Sequence, residues 1–484
     1  MIDKISLAKN TIYSAITSFT SFFLLVLLIL AGRYLGDANY GIFTFSLAFV
    51  FVVEIFTDFG LSELSQRSIT RDKDLASKYL GNLLVWKLIV STVVFAVLVL
   101  AINLLKSSPE TRFTVYLLGF ANILRSFKSS CRALFRAFER FDLDCLTMYI
   151  ERSALLVVGI IVIIMGGGLV SFALVFVGVR VFDLALTFGI LNWKIVKIVP
   201  KFNFTFLKKL QIEALPFGLF FVIITLYAYI DTVMLSLIRM NIIQDVVKVN
   251  AEVGWYNAAY KIYEGLTVFP FIICAVIYPR LSQLFVTNKK AHSLLSSRVA
   301  KYMFIISFPI VICGIIISKD IINITFGEKF QNSVDALQIL LVGIVFVFQI
   351  RLFHIILNSV DKQKVVMYIG FVGLIVNVLL NFLLIPRYGF RGAAATTVMS
   401  ELIVFGAYYF YFRRSYFQVS IWKSSLKPLF ASLIVGSLVW KFNALPLSLL
   451  LLLIFSLYPF LLFCFRTFDR QERDLVYRLI KITR

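Results

Sequence analysis

The sequence predicts an all-α, polytopic membrane protein with about 14 transmembrane helices. Of its 484 residues, 60 % are hydrophobic and only 15 % are charged, and the mean hydropathy is +0.91. A soluble chain would carry about 25 % charged residues. The apolar residues form runs of about 20, the length that a helix needs to cross a hydrocarbon core of roughly 30 Å. Short polar connections separate these runs, which indicates repeated crossing of a membrane.

The predicted spans follow one another closely along the chain. The first is too long and uninterrupted for a cleaved signal peptide, so we expect a retained helix. No connection is long enough for an extracellular domain. The spans are expected at 11–31, 41–60, 79–103, 113–133, 146–166, 169–191, 214–238, 255–277, 299–318, 336–357, 365–385, 391–412, 426–441 and 446–466.

The basic residues indicate topology rather than nucleic-acid binding. The formal net charge is +22, but Lys and Arg are concentrated in every second connection, by about three to one, which is the positive-inside pattern. This pattern predicts that both termini are cytoplasmic, and we expect no nucleic-acid partner. The tail 466–484 is interpreted either as a basic amphipathic helix on the anionic inner leaflet or as an ordinary positive-inside anchor.

Cysteine and histidine give no sign of a cofactor. Neither a CxxC pair nor an HExxH motif occurs, and His292 and His354 are far apart. Residues 166–168 are three glycines, but no Lys-Ser/Thr follows, so we expect a tight hairpin rather than a phosphate loop. We therefore expect no metal and no cofactor.

A weak internal repeat predicts two similar halves. Residues 40–43 and 253–256 open the second and eighth spans with related residues, and 138–141, between spans four and five, has a counterpart in 360–363, between spans ten and eleven. Six spans per half would give both halves the same topology, related by an axis along the membrane normal. The predicted domains are an N-terminal lobe at 1–210, a C-terminal lobe at 211–415, and two extra spans with a basic tail at 416–484.

Charged residues inside the spans are the chemistry that the sequence offers. Such residues are costly in lipid and face a bundle interior or a wet cavity. Asp231 is the only charge in the span 215–238. Arg180 and Asp183 share a helix face, and equal depth suggests the pairs Asp231–Lys261 and Glu54–Lys87. The candidates for ion coupling or charge pairing are Asp58, Asp183, Asp231, Glu264 and Glu401.

Several intramembrane cations lack an obvious acidic neighbour. Arg125 and Lys128 have no acid near them on their own span, and Arg351 is a further cation of this kind. An anion such as a phosphate would complete such a set; snorkelling toward the interface is the competing account, above all for Lys128. The candidates for a cationic, substrate-binding cavity are Arg125, Lys128, Arg180, Lys261 and Arg351.

An ordered series of motifs resembles one known family. These are residues 32–43 after the first span, the Asp58-Phe59-Gly60-Leu61 turn with Arg67 behind it, the motif 229–235 in the seventh span, 253–261, 278–281, 326–330, 337–340 and 381–395. Together they resemble the polysaccharide or O-antigen unit flippases (Wzx type, oligosaccharide flippase) of the MOP exporter superfamily, and they extend over nearly the whole chain.

The resemblance implies a MATE-like fold, in which two six-helix lobes form a V and two C-terminal helices follow. It implies transport of a polyprenyl-pyrophosphate-linked oligosaccharide between leaflets of a prokaryotic cytoplasmic membrane, for surface polysaccharide biosynthesis. Membrane lipids, and glycosyltransferases and a polymerase of the same pathway, are the implied partners. The chain is then not an enzyme, and an ion gradient is a candidate driving force.

Two rival functions remain open from the sequence. A drug/cation antiporter of the same fold would require acids without neighbouring bases, and the first half shows the opposite pattern. A membrane glycosyltransferase or polymerase would need catalytic acids or arginines in a sizeable outer loop, which the sequence does not contain.

Overall fold

The computed structural model describes residues 13, 16, 17, 19–105, 107–414, 422–469 and 472. These residues form seventeen α-helices, two short 3₁₀ helices (Lys73–Leu75 and Glu328–Phe330) and no strand. The α-helices are α1 Ser21–Leu35, α2 Asp37–Asp58, α3 Leu61–Arg71, α4 Ala76–Leu104, α5 Pro109–Ala137, α6 Phe141–Ile164, α7 Leu169–Lys194, α8 Phe204–Ile242, α9 Val246–Leu266, α10 Val268–Thr287, α11 Lys289–Ile316, α12 Ser318–Thr325, α13 Ser333–Ser359, α14 Gln363–Tyr388, α15 Phe390–Arg414, α16 Trp422–Lys441 and α17 Leu447–Cys464.

The predicted fold class is confirmed. Within the described residues, 11 helical stretches are long and apolar enough to cross a membrane. The three other predicted spans fall on α1, α5 and α16. Part of the first predicted span and most of the basic tail lie outside the described residues. The number of crossings, fourteen, stays a prediction.

Local capping explains where several helices begin. Ser108 accepts a hydrogen bond from the Thr111 backbone N–H at 3.2 Å, Pro109 occupies the first turn, and Glu110 places negative charge at the helix start. Asn203 caps α8 in the same way, because its side chain accepts from Phe206 N at 3.0 Å. These groups satisfy backbone donors that a helix start leaves unpaired.

The two turns that the repeat relates have the same backbone geometry. Glu139 and Asp361 both lie in the left-handed region with φ of 58°. In each turn the following residue donates its N–H to a carbonyl five residues back, from Arg140 to Phe135 at 2.8 Å and from Lys362 to Leu357 at 2.9 Å. This is the helix-ending motif that usually employs glycine, and its occurrence at both predicted positions supports the internal repeat.

Replacing either residue by glycine should stabilise the protein. Glu139→Gly or Asp361→Gly removes the Cβ that makes a left-handed conformation unfavourable, and we expect a gain of about 1 kcal/mol in unfolding free energy. Thermal unfolding in detergent measures the effect. As a control, Glu213→Gly inside α8 should cost about 1 kcal/mol. A loss of stability at both turns would contradict this interpretation.

The described chain forms two compact units. Among the described residues, the first comprises those up to 258 together with 378–393, and the second comprises 259–377 together with those from 394 onward. In the first unit a buried apolar cluster joins α3, α4 and α5 to the start of α8, with Leu64, Leu80, Phe135 and Leu210 at its centre. The predicted division at residues 210 and 415 stays a prediction.

Glycines explain two of the sequence motifs in the first unit. Gly41 of α2 and Gly254 of α9 lie at a close contact between the two helices. A Cβ atom on Gly41 would overlap the Asn250 carbonyl, and a Cβ atom on Gly254 would overlap the Asp37 carbonyl. The neighbouring Trp255 donates its indole N–H to the Asp37 carboxylate at 2.9 Å. Backbone contact between the two helices therefore depends on residues without side chains.

The turn between α2 and α3 fits against α8 in a similar way. Phe59 (φ 40°) and Gly60 (φ 79°) both lie in the left-handed region. A Cβ on Gly60 would lie 2.6 Å from the Phe217 Cβ, and Arg67 lies over the Phe217 ring at 5.7 Å. The motif from Asp58 to Leu61 is therefore a turn that contacts another helix.

In the second unit, Glu472 joins the end of the described chain to α11. Its carboxylate accepts from Lys301 at 2.6 Å, from the Tyr302 hydroxyl at 2.8 Å and from the Asp469 backbone N–H at 2.6 Å. Burial alone would raise the pKa of Glu472, but these hydrogen bonds together hold that pKa below its ordinary value. The Tyr458 hydroxyl of α17 also donates to the Ile305 carbonyl of α11 at 2.7 Å.

Candidate functional site

Lys87 forms a fully satisfied ion pair in the first unit. It lies on α4, is completely buried and pairs with Asp58 of α2. Its ammonium also donates to Ser62 Oγ at 3.2 Å and to the Ser126 carbonyl at 2.8 Å. An ammonium has three donors, and these three acceptors account for all of them. Equal depth suggested Glu54 as the partner of Lys87, and the structure places Asp58 there instead.

Lys128 of α5 is equally enclosed. Its ammonium contacts Glu151 Oε2 of α6 at 2.7 Å, Asp183 Oδ2 of α7 at 2.6 Å and the Thr147 carbonyl at 3.2 Å, and its side chain is 3 % exposed. The expectation that Lys128 lacks an acid is wrong, because both acids come from other helices. Asp183 consequently contacts Lys128 rather than the predicted Arg180. Snorkelling does not describe a side chain in this position.

Arg125 and Arg180 converge on one amide. Asn122 Oδ1 accepts from Arg180 Nη1 at 2.6 Å and from Arg125 Nε at 3.1 Å. Arg180 is 7 % exposed, and its closest acid is Glu151, 4.0 Å from its Nε. The side chain of Arg125, in contrast, is 46 % exposed and lies 3.8 Å from Glu54. Arg125 is therefore the accessible member of the pair.

Aromatic rings border the exposed side of Arg125. Its guanidinium lies 4.8 Å from the centre of the Phe51 ring, which stacks on Tyr229 at 4.7 Å. Arginine favours such stacking, and a stacked guanidinium keeps its edge available for a further acceptor. The side chain is thus both positioned and open to a ligand.

Several polar groups in this region have no hydrogen-bond partner among the described residues. The buried donors are Asn122 Nδ2, Arg152 Nε and Arg180 Nε, and both carboxylate oxygens of Glu54 are also without a hydrogen bond. Arg125, Arg152 and Glu54 are close enough to Arg180 to interact with it electrostatically. Buried donors without partners are costly, so this region has unused capacity for an acceptor-rich ligand.

We define the arginine cluster as Arg125, Arg152, Arg180 and Asn122. With the nearby residues Lys87, Lys128, Glu54, Asp58, Glu151 and Asp183, it has five cations against four anions, a net charge of +1. Guanidinium groups bind phosphate oxygens through paired hydrogen bonds. The chemistry of the cluster therefore suits an anion.

Three of these residues were missed in the sequence. Glu151 and Arg152 are adjacent charges within the apolar span 146–166, and that position alone could have identified them. Asn122 precedes Arg125 by three residues and so shares its helix face. An amide carries no charge, which is why it did not stand out.

Asp231 lies in a separate set of contacts in the first unit. Its carboxylate accepts from the Tyr256 hydroxyl at 3.0 Å and from Asn381 Nδ2 at 2.6 Å, and the residue is 4 % exposed. These donors are neutral, and they come from α9 and α14. The predicted role of Asp231 in ion coupling stays a prediction.

The remaining predicted residues lie in the second unit. Lys261 pairs with Glu264 at 2.6 Å on the same helix, with Glu264 half-exposed. Arg351 of α13 is exposed, and within the described part of the chain it has no ion pair. Glu401 of α15 is 8 % exposed. Their predicted roles stay predictions, and the described residues contain no group of acids, cysteines and histidines suited to a metal.

Comparison with known proteins yields several relatives among membrane proteins. A probable low-salt glycan biosynthesis flippase of Haloferax volcanii is 22 % identical over 379 residues, which cover 76 % of this chain and 75 % of that protein. An uncharacterized membrane protein of Methanocaldococcus jannaschii is 31 % identical over 212 residues, 43 % of this chain and 41 % of that protein. The alignment with this second relative thus spans less than half of its length.

Solved structures share the fold. Lipid II flippase MurJ in an inward closed conformation matches with a TM-score of 0.75, at 14 % identity, over 96 % of this chain and all of that one. The MatE family matches residues 216–383. The polysaccharide biosynthesis protein family matches residues 7–285, which contain the arginine cluster and more than half of the sequence. The chain is a multi-pass membrane protein, and it belongs to the polysaccharide biosynthesis protein family.

Proposed function

We propose that this protein is a flippase that moves polyprenyl-pyrophosphate-linked glycan units from the cytoplasmic to the outer leaflet. The arginine cluster carries this proposal, because Arg125 is accessible and because buried donors around it lack partners. A pyrophosphate offers several acceptor oxygens of matching charge. The family assignment and the flippase relatives support the same substrate class.

Each part of the network receives a role in this proposal. Arg125, Arg152 and Arg180 bind the pyrophosphate, with Arg180 held by Asn122. The ammonium groups of Lys87 and Lys128 have no donor left for a ligand. In this proposal the ion pairs Lys87–Asp58 and Lys128–Asp183 therefore hold the surrounding helices together and do not bind substrate. Lys261 and Arg351 are candidates for contact with the remainder of the substrate, and Asp231, Glu264 and Glu401 are candidates for ion coupling.

The transport cycle that we propose is alternating access by two lobes, 1–210 and 211–415, with 416–484 added to them. The lipid tail would stay in the bilayer while the glycan crosses. The protein would act in a prokaryotic cytoplasmic membrane with both termini in the cytoplasm, without catalysing a reaction. Glycosyltransferases and a polymerase of the same pathway would supply and consume the substrate.

A second candidate function is a drug/cation antiporter. The MatE match over residues 216–383 favours it, and that range contains the buried Asp231. A cationic substrate would bind an acid of this kind. Arg125 and Arg180 would repel it, however, so the two functions place the substrate at different residues.

Flipping of a fluorescent polyprenyl-pyrophosphate oligosaccharide in proteoliposomes tests the cation roles. Arg125→Ala should lower the initial rate by about tenfold or more, because hydrogen bonds to charged groups contribute about 1.5–3 kcal/mol. Arg351→Ala should lower it as well if that cation contacts substrate. Arg71→Ala, an exposed arginine at the end of α3, is the control. Wild-type transport by Arg125→Ala at equal protein amount would reject the proposed site.

A further inference from the structure

The connection between α7 and α8 combines lysines with exposed apolar side chains. Between Asp183 and Glu213 the sequence contains five lysines and no acid. Trp193 is 81 % exposed, Phe202 54 % and Phe204 59 %. Lysines bind anionic headgroups and aromatic rings favour the membrane–water interface, so both kinds of side chain suit a lipid surface.

This connection has a defined conformation on the end of α4. The Asn203 backbone N–H donates to Asn82 Oδ1 at 2.7 Å, and Asn82 is 2 % exposed. The Ile198 backbone N–H donates to Asn192 Oδ1 at 2.9 Å. Gly81 permits the approach, because a Cβ there would overlap the Val199 carbonyl. The backbone is therefore held in its middle, at Ile198 and Val199, and at its end, at Asn203.

The anchored backbone separates two sets of side chains. Ile195, Val196 and Ile198 pack against the apolar cluster of the first unit. Lys197 and Lys201 face outward and are exposed. The connection thus presents charge on one side only, and that charge is uniformly positive.

A cavity of about 430 Å³ lies between this connection and α4. Its lining residues are Lys78, Asn82, Lys201, Phe202 and Asn203. Two are lysines and none is acidic. Lys78 also lies over the Phe206 ring at 4.7 Å, which positions its ammonium beside the cavity. A phosphodiester headgroup would meet two cations and an amide there, with Phe202 beside its glycerol and acyl chains.

We propose that this cavity, the Lys78–Lys201 site, binds the headgroup of an anionic phospholipid of the surrounding leaflet. The lysine ammonium groups hold the phosphate, and the exposed Phe202 and Phe204 contact the adjoining acyl region. The site is distinct from the arginine cluster, which lies among α2, α5, α6 and α7. It would tie the junction between α7 and α8 to the membrane surface.

Native mass spectrometry of the detergent-purified protein tests this proposal. Phosphatidylglycerol and phosphatidylcholine with the same acyl chains are titrated separately against wild type and two double variants. Lys78→Gln with Lys201→Gln removes both cavity cations, whereas Lys208→Gln with Lys209→Gln removes the same charge from exposed positions outside the cavity. We expect about tenfold weaker phosphatidylglycerol binding in the first variant alone, and unchanged phosphatidylcholine binding.

Other results would overturn the proposal. Equal weakening in both double variants would mean diffuse attraction by surface charge, and no weakening in either would exclude the site. Competition by glycerol 3-phosphate alone, without lipid binding, would identify a soluble phosphate ligand. Loss of polyprenyl-pyrophosphate binding with phosphatidylglycerol binding intact would assign the cavity to the transported lipid. Thermal unfolding of each variant shows that the comparison concerns folded protein.

Discussion

Lys128→Met should lower the free energy of unfolding by about 3–5 kcal/mol. The substitution leaves the carboxylates of Glu151 and Asp183, now 2.7 Å and 2.6 Å from the ammonium, buried without that cation. Removing one partner of a buried ion pair has a cost of about this size, because the remaining charge is uncompensated. Thermal or SDS-induced unfolding in mixed micelles measures it.

A variant that loses one acid together with the lysine is the matched control for Lys128→Met. The double variant Lys128→Met, Asp183→Asn removes the cation and one of its two acids and leaves Glu151 with Arg180 at 4.0 Å, so it should recover part of the lost stability. If Lys128→Met unfolded like wild type but no longer transported substrate, Lys128 would be a substrate-binding residue, as the sequence predicted. The stability measurement thus separates the structural role from the binding role.

Gly41→Leu should disrupt the first unit. The added side chain would have to occupy the position of the Asn250 carbonyl, so α2 and α9 would separate. We expect a loss of about 3 kcal/mol or more, because overfilling a well-packed interior forces the backbone to move. Gly254→Leu, which would meet the Asp37 carbonyl, should have a comparable effect. Yield of folded protein and unfolding temperature report both.

Gly178→Ala is the control for the glycine contact. Gly178 also lies in a long helix, α7, but a Cβ there would have nothing within 4 Å. Alanine at this position should be neutral or stabilise the helix by up to about 1 kcal/mol. Equal losses for Gly41→Leu and Gly178→Ala would show that the helices do not depend on close backbone contact.

The fold was predictable because its signal is local. Runs of about 20 apolar residues mark each predicted span regardless of its neighbours, and these spans fall on observed helices, although the span 255–277 is divided at Thr267 between α9 and α10. The related turns at Glu139 and Asp361 were visible in the sequence, although their shared left-handed conformation was not. A positive φ is usually predicted from a glycine, and neither of these residues is a glycine.

The site was less predictable because its contacts join distant parts of the sequence. Lys128 seemed to lack an acid when only its own span was considered, but Glu151 and Asp183 reach it from two other helices. Depth in the membrane suggested Glu54 as the ion-pair partner of Lys87. The partner in the structure is Asp58, one helical turn further along α2. Such pairs depend on which way each helix is rotated about its own axis. The depth of a residue in the membrane gives no information about that rotation.

Several motifs of the resemblance have structural explanations. Gly389 (φ 57°) leaves room for the ion pair of Arg239 and Glu252, because a Cβ there would lie 2.6 Å from Glu252 Oε2. Gly41 and Gly254 provide the contact between α2 and α9. These motifs therefore identify the fold, while the arginine cluster, outside the quoted motifs, carries the proposed substrate binding.

Transport by the wild-type protein in proteoliposomes tests the central claim most directly. A fluorescent polyprenyl-pyrophosphate oligosaccharide and a cationic dye are supplied to matched vesicles, each with several ion gradients. We predict that the glycolipid changes leaflet faster than in protein-free vesicles and that the dye is not exported. Dye export, with no glycolipid movement under any gradient, would contradict the flippase function and favour the antiporter.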